Sequence, residues 1–202
     1  VEASDWKAWK QATFGSEHEI WHDGLSVDVV TGRAGAARAE ALRMLRLGLA
    51  LGDDHAALAL AAMGDTASVA PITALLARSA GAGRVRVALA LYALTSDPAL
   101  ASVLAEVLRG GGSEFERLDA AIGLRRFPRD RVEADLLRAV AEDPDYLPRY
   151  HAAESLLAVW GVEPGGIAEH PAVFRELAAK GEPARWAAAA ARLAALRDRA
   201  RE

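Results

Sequence analysis

Apolar residues in this chain come in short Ala- and Leu-rich blocks, and the blocks return at a regular distance. The clearest copy covers residues 84 to 110, RVRVALALYALTSDPALASVLAEVLRG. A first block closes at Leu94, the run Thr95-Ser96-Asp97-Pro98 breaks it, and a second block follows. Residues 55 to 78, HAALALAAMGDTASVAPITALLAR, and 119 to 140, DAAIGLRRFPRDRVEADLLRAV, repeat the arrangement. Residues 151 to 161, HAAESLLAVWG, open a fourth copy. Ala and Leu are strong helix formers, so each block predicts a helix and each break a turn between paired helices.

Position confirms the period. The last apolar residues of the four first blocks, Met63, Leu94, Phe127 and Val159, lie 31, 33 and 32 residues apart. Six residues before each stands an alanine: Ala57, Ala88, Ala121, Ala153. Seven before each stands Ala56, Val87, Ala120 or Ala152. Small residues at one fixed place let a neighbouring helix approach closely, and self-similarity at this period marks a stacked helical repeat.

The predicted pairs are 55–63 with 67–79, 84–94 with 99–109, 115–127 with 131–141, and 146–160 with 171–179. Asp54 is the expected cap of the first. Residues 36–52 form an amphipathic helix with a Leu42, Leu45, Leu49 stripe and Arg38, Arg43 and Arg46 on its polar side. Residues 1–35 are read as an irregular N-terminal cap. There Ser4 or Asp5 starts a short helix that brings Trp6, Trp9 and Phe14 to one face, and Val27, Val29 and Val30 lie in a connection. Residues 181–202 are read as a C-terminal capping helix with a Trp186, Ala190, Leu193 stripe. The expected fold is all-α, an α-α superhelix of about four to five helix pairs in one domain over 1–202, with repeats at 36–180.

Composition narrows the classes. Hydrophobic residues make up 52 % of the 202 and aromatics only 6 %, which favours short helices over a β-rich core. No apolar run reaches the roughly 18 residues that cross a bilayer. No basic-then-apolar leader opens the sequence, so a cytoplasmic location is expected. There is no cysteine, hence no thiolate site or disulfide framework. The net charge of −4 disfavours binding along a phosphate backbone. Gly110-Gly111-Gly112 lacks the Lys-Ser/Thr of a phosphate loop and reads as a flexible link.

One catalytic pattern is present in form. His18-Glu19-Ile20-Trp21-His22 matches H-E-x-x-H, in which two histidines one turn apart hold zinc and the glutamate acts as general base. Asp23-Gly24 follows at once and stops the helix, and no third ligand stands at a convincing distance. The metal reading of His18 and His22 is therefore a minor alternative, and no cofactor is expected.

The run Arg86-Val87-Ala88-Leu89-Ala90-Leu91-Tyr92-Ala93-Leu94, then Asp97-Pro98-Ala99, resembles HEAT repeats of the short bacterial PBS-lyase HEAT-like type. Residues 55–65, with the Gly64-Asp65 turn, and 151–161 share the likeness, which covers about 36–180. Gly123-Leu124-Arg125-Arg126, the glycine insert and the stretch 162–169 depart from the pattern. The resemblance implies an armadillo-like solenoid whose concave face, lined by second helices, binds other proteins. It thus implies a non-enzymatic scaffold or adaptor with a protein partner, an immunity-type protein being one version. The residues expected to meet that partner are Arg78, Arg109, Arg125, Arg126 and Arg138. The alternatives are a HEAT-like DNA-binding protein or alkylpurine DNA glycosylase, a chromophore-lyase role carried by the repeat name alone, and zinc binding at residues 18–22.

Overall fold

The computed structural model describes residues 2–162 and 166–199, leaving aside the side chains of 21–23 and 199. The described residues are all-helical: thirteen α-helices, three short 3-10 turns and no strand. The chain divides into two compact units, Val1–Asp97 and Pro98–Glu202. The division falls inside the clearest sequence copy, and the glycine run 110–112 lies within the second unit.

The first unit contains α1 (Glu2–Phe14), α2 (Glu17–Asp23), α3 (Asp28–Thr31), α4 (Gly35–Ala50), α5 (Asp54–Ala62), α6 (Val69–Leu76) and α7 (Gly81–Thr95). Helix α5 packs between α4 and α7, and α6 closes on α7 and α4. The buried stripe of α4 is Ala41, Met44, Leu45, Gly48 and Leu49, so Leu42 sits at its margin. Helix α1 lies on α4 and buries a single side chain, Trp6. Gly48 makes that possible: a Cβ there would stand 2.5 Å from the Trp6 ring. The cap of α5 is Asp53, one residue earlier than expected, and its carboxylate accepts from the His55 backbone N–H at 3.0 Å. The stretch expected as a connection at 27–30 instead winds into α3, which buries Val30 completely. Helix α7 ends where Ser96 turns left-handed at φ 55°.

The second unit contains α8 (Ala101–Arg109), α9 (Glu114–Leu124), α10 (Arg129–Glu142), α11 (Tyr146–Trp160), α12 (Pro171–Leu177) and α13 (Pro183–Arg199). Helix α9 packs on α8 and α11, while α10 packs on α8, α11 and α13. The final helix thus lies against α10 and covers α12, burying Trp186, Ala189 and Leu193. Helix α9 starts on a capping box in which Ser113 and Glu116 satisfy each other's backbone N–H. It stops at Leu124, three residues before Phe127, which is nonetheless buried.

Equivalent positions of the four sequence copies are buried alike. Ala57, Ala88, Ala121 and Ala153 are each 0 % exposed. Three residues before each anchor a leucine recurs, Leu60, Leu91, Leu124 and Leu156, and all four are buried. Burying each stabilises the fold by about 1.5–3 kcal/mol. The anchors themselves are less uniform: Met63 and Phe127 are buried, Leu94 and Val159 only half so. Small residues allow helices α5 and α7, and likewise α9 and α11, to lie in contact. Between the latter, Ser155 donates its hydroxyl at 2.8 Å to the carbonyl of Ala121, the small position of the preceding copy.

Candidate functional site

A groove of about 590 Å³ opens on the second unit, between the end of α8, the glycine run and the last turns of α10. Its volume falls within the roughly 300–1,000 Å³ typical of binding pockets. Three aspartates line it; two of them, Asp135 and Asp143, lie eight positions apart in sequence and are each approached by two arginines.

The inner wall is closed on itself. Arg117, on α9, donates from Nε and Nη2 to the two carboxylate oxygens of Asp143 at 2.8 and 3.1 Å. Nη2 also reaches Asp145 at 2.5 Å, and Nη1 donates to the carbonyl of Gly112. Asp143 accepts one further bond, from the Asp145 N–H at 2.9 Å. The hydrogen bond to Asp143 holds the Arg117 guanidinium firmly charged. Behind them lies Arg149, 2 % exposed. It donates to the Asp143 carbonyl at 2.8 Å and twice to the Leu177 carbonyl, and its guanidinium stacks 4.0 Å above Trp186. Burial pushes the Arg149 pKa down, and the nearby acids Asp143 and Asp145 oppose that shift. Arg117, Asp143 and Arg149 are spent on joining α9, α10, α11 and α12, while the Asp145 side chain stays 48 % exposed.

The outer wall is open. Asp135 on α10 receives Arg109 Nη1 at 2.6 Å and stands 3.8 Å from Arg138 Nη1. The side chains of Arg109 and Arg138 remain 42 % and 51 % exposed, against 8 % for Arg117. A guanidinium carries five N–H donors, so most of those on this pair face water. Glu142, one turn beyond Arg138 on α10, is exposed and has no ion pair among the described residues. Phe115, in the first turn of α9 just after the glycine run, is 63 % exposed.

The five arginines singled out in the sequence divide accordingly. Arg109 and Arg138 meet in the groove. Arg125 and Arg126 are exposed at the end of α9 and do not line it. Arg78 lies exposed in the first unit, after α6. Beside Arg125 is His151, whose Nδ1 is buried without a hydrogen-bond partner. Burial first, and then the Arg125 charge, push its pKa below the ordinary histidine value.

At the H-E-x-x-H segment, α2 spans only seven residues and ends at Gly24. Glu19 turns back to cap its own helix, its Oε2 accepting from the Ser16 N–H at 2.6 Å and hydroxyl at 2.7 Å. That backbone bond lowers its pKa. His18 is exposed, and the His22 side chain lies outside the described residues.

Two clusters went unread in the sequence. Asp53, Asp54 and His55 offer ligand atoms within 4.8 Å of one another. Their oxygens are already engaged: Asp53 accepts from Lys10 at 2.6 Å and Trp6 Nε1 at 3.1 Å, and Asp54 pairs with Arg86 at 2.9 Å. Burial works against the Asp53 carboxylate, but hydrogen bonds from His55, Lys10 and Trp6 outweigh it and hold its pKa below the usual range. The second cluster ties α13 to α10. Glu133 bonds Arg129 at 2.5 Å and Arg197 at 2.6 Å, and both guanidiniums lie 5.9 Å from the Trp160 ring. These bonds, Arg129's first, hold Glu133 down to about 2. The buried Trp160 N–H lies near enough to lower it further, though it makes no hydrogen bond of regular geometry.

No described helix is long and apolar enough to cross a membrane. No protein-family model, curated protein or solved structure matches the chain.

Proposed function

We propose that this chain is a non-enzymatic interaction scaffold, built as a HEAT-like stack of helix pairs, that binds a partner protein. The observation that carries this reading is the division of charge in the groove. The buried arginines are committed to the fold, while Arg109, Arg138 and Glu142 present charge to solvent; Phe115, at the start of α9, is exposed as well. Arginine is among the residues enriched where protein partners are anchored. The buried rows of alanine and leucine at two repeat positions support the stacked architecture. A cytoplasmic setting and an immunity-type or adaptor role are versions of the same proposal.

A nucleic-acid role is less well supported. Asp135, Glu142 and Asp145 share the groove with the arginines and would repel a continuous phosphate chain. The scaffold reading is tested by affinity capture from source-cell lysate, with the Phe115→Ala variant alongside. A partner should be recovered on the wild-type chain and reduced on the variant. Recovery of nothing above background would count against it.

A further inference from the structure

We propose that the groove recognises a mixed-charge segment of the partner, one that brings a carboxylate to Arg109 and Arg138 and a cation to Glu142. The inference rests on the scaffold reading and names the chemistry of what is bound.

Two guanidiniums converge on one oxygen of Asp135, at 2.6 and 3.8 Å, so one positive charge is left over at that end. Only the shorter contact is a hydrogen bond, and Arg138 has no hydrogen bond to Asp135. A carboxylate placed between the two would accept from both, and charge-assisted pairs of this kind are about twice as strong as neutral ones. At the other end Glu142 is exposed and without an ion pair among the described residues, and the Asp145 carboxylate, bonded by Arg117, stays 48 % exposed beside it. Arg138 and Glu142 are four residues apart on α10, hence about 6 Å along the helix. The groove is therefore polarised, positive then negative over one helical turn. Its complement is an acidic and a basic residue at the same spacing. A purely anionic ligand meets Glu142 and Asp145, and a purely cationic one meets the arginine pair.

The test is an amide-resolved NMR titration of the full chain at low ionic strength with acetyl-AEAAAKA-amide. Controls are acetyl-AQAAAQA-amide and a thymidine oligonucleotide. Saturable shifts at Arg109, Gly111, Arg138 and Glu142 are expected with the charged peptide and not with the controls. Arg109→Glu with Arg138→Glu should weaken binding about tenfold or more. Arg78→Glu with Arg126→Glu changes net charge equally away from the groove and should leave binding in place. Thermal unfolding of both double variants checks that they are folded. Shifts outside the groove, equal shifts with the glutamine peptide, stronger binding of the oligonucleotide, or binding that survives in the Arg109/Arg138 variant would each overturn the proposal. Lysate capture fails or succeeds separately. A partner held through another face would leave the scaffold reading intact and sink this one.

Discussion

Asp135, in the middle of α10, and Asp143, just past its end, line the same groove and are each approached by arginines, yet they do different work. Asp143 and Arg117 are 4 % and 8 % exposed, and every oxygen of the carboxylate is engaged. Asp135 is 19 % exposed, and its arginines stand in water. An ion pair sealed from solvent is hard to break, because removing one partner strands a buried charge; an exposed pair contributes little and is free to be exchanged. Sequence composition is the same in both places. Burial decides which pair holds the fold and which is available to a ligand.

The contrast is open to direct attack. Arg117→Ala should destabilise the chain by about 3–5 kcal/mol, read as a fall in denaturant midpoint, because Asp143 is left buried and unpaired. Arg149→Met should cost about 1–3 kcal/mol, since the Leu177 and Asp143 carbonyls lose their donor. Ser155→Ala, which removes the bond to Ala121 in the row of small residues, should cost about 1 kcal/mol. Arg138→Ala should change stability by about 0.5 kcal/mol or less. An Arg138→Ala loss as large as that of Arg117→Ala would erase the distinction between the walls.

Acid adds a third carboxylate to the comparison. Glu133 is held down to about 2 in the folded chain, from an ordinary 4.5. A lowered folded pKa means stability that is fully present above 4.5 and is lost as pH falls through the window towards 2. Thermal unfolding followed from pH 5.5 down to pH 3 should show this loss, and Glu133→Gln should flatten part of the slope. An unchanged slope in that variant would mean that the Arg129–Glu133–Arg197 cluster contributes nothing to docking of α13.

Much of the helical framework was legible in the sequence because it is periodic. The alanine row at 57, 88, 121 and 153 named core positions in advance, and the leucine row at 60, 91, 124 and 156 carried the same signal unread. Arg109 and Arg138 were singled out, and the structure brings them together. What was missed lacks a period. Arg117 meets Asp143 across 26 residues, and Arg149 meets the Leu177 carbonyl across 28. Such pairs depend on how helices pack, and nothing in local spacing distinguishes them from surface charges. The helix α3 was missed for a different reason: it is four residues long, and β-branched valines locally favour extended chain.

The most direct test of the account compares lysate capture on the wild-type chain with capture on the Arg109→Glu/Arg138→Glu variant, after equal unfolding temperatures have been verified. The account predicts a partner that is retained by the wild type and lost from the variant. The same proteins on both, or a variant that has unfolded where Arg117→Ala has not, would contradict it.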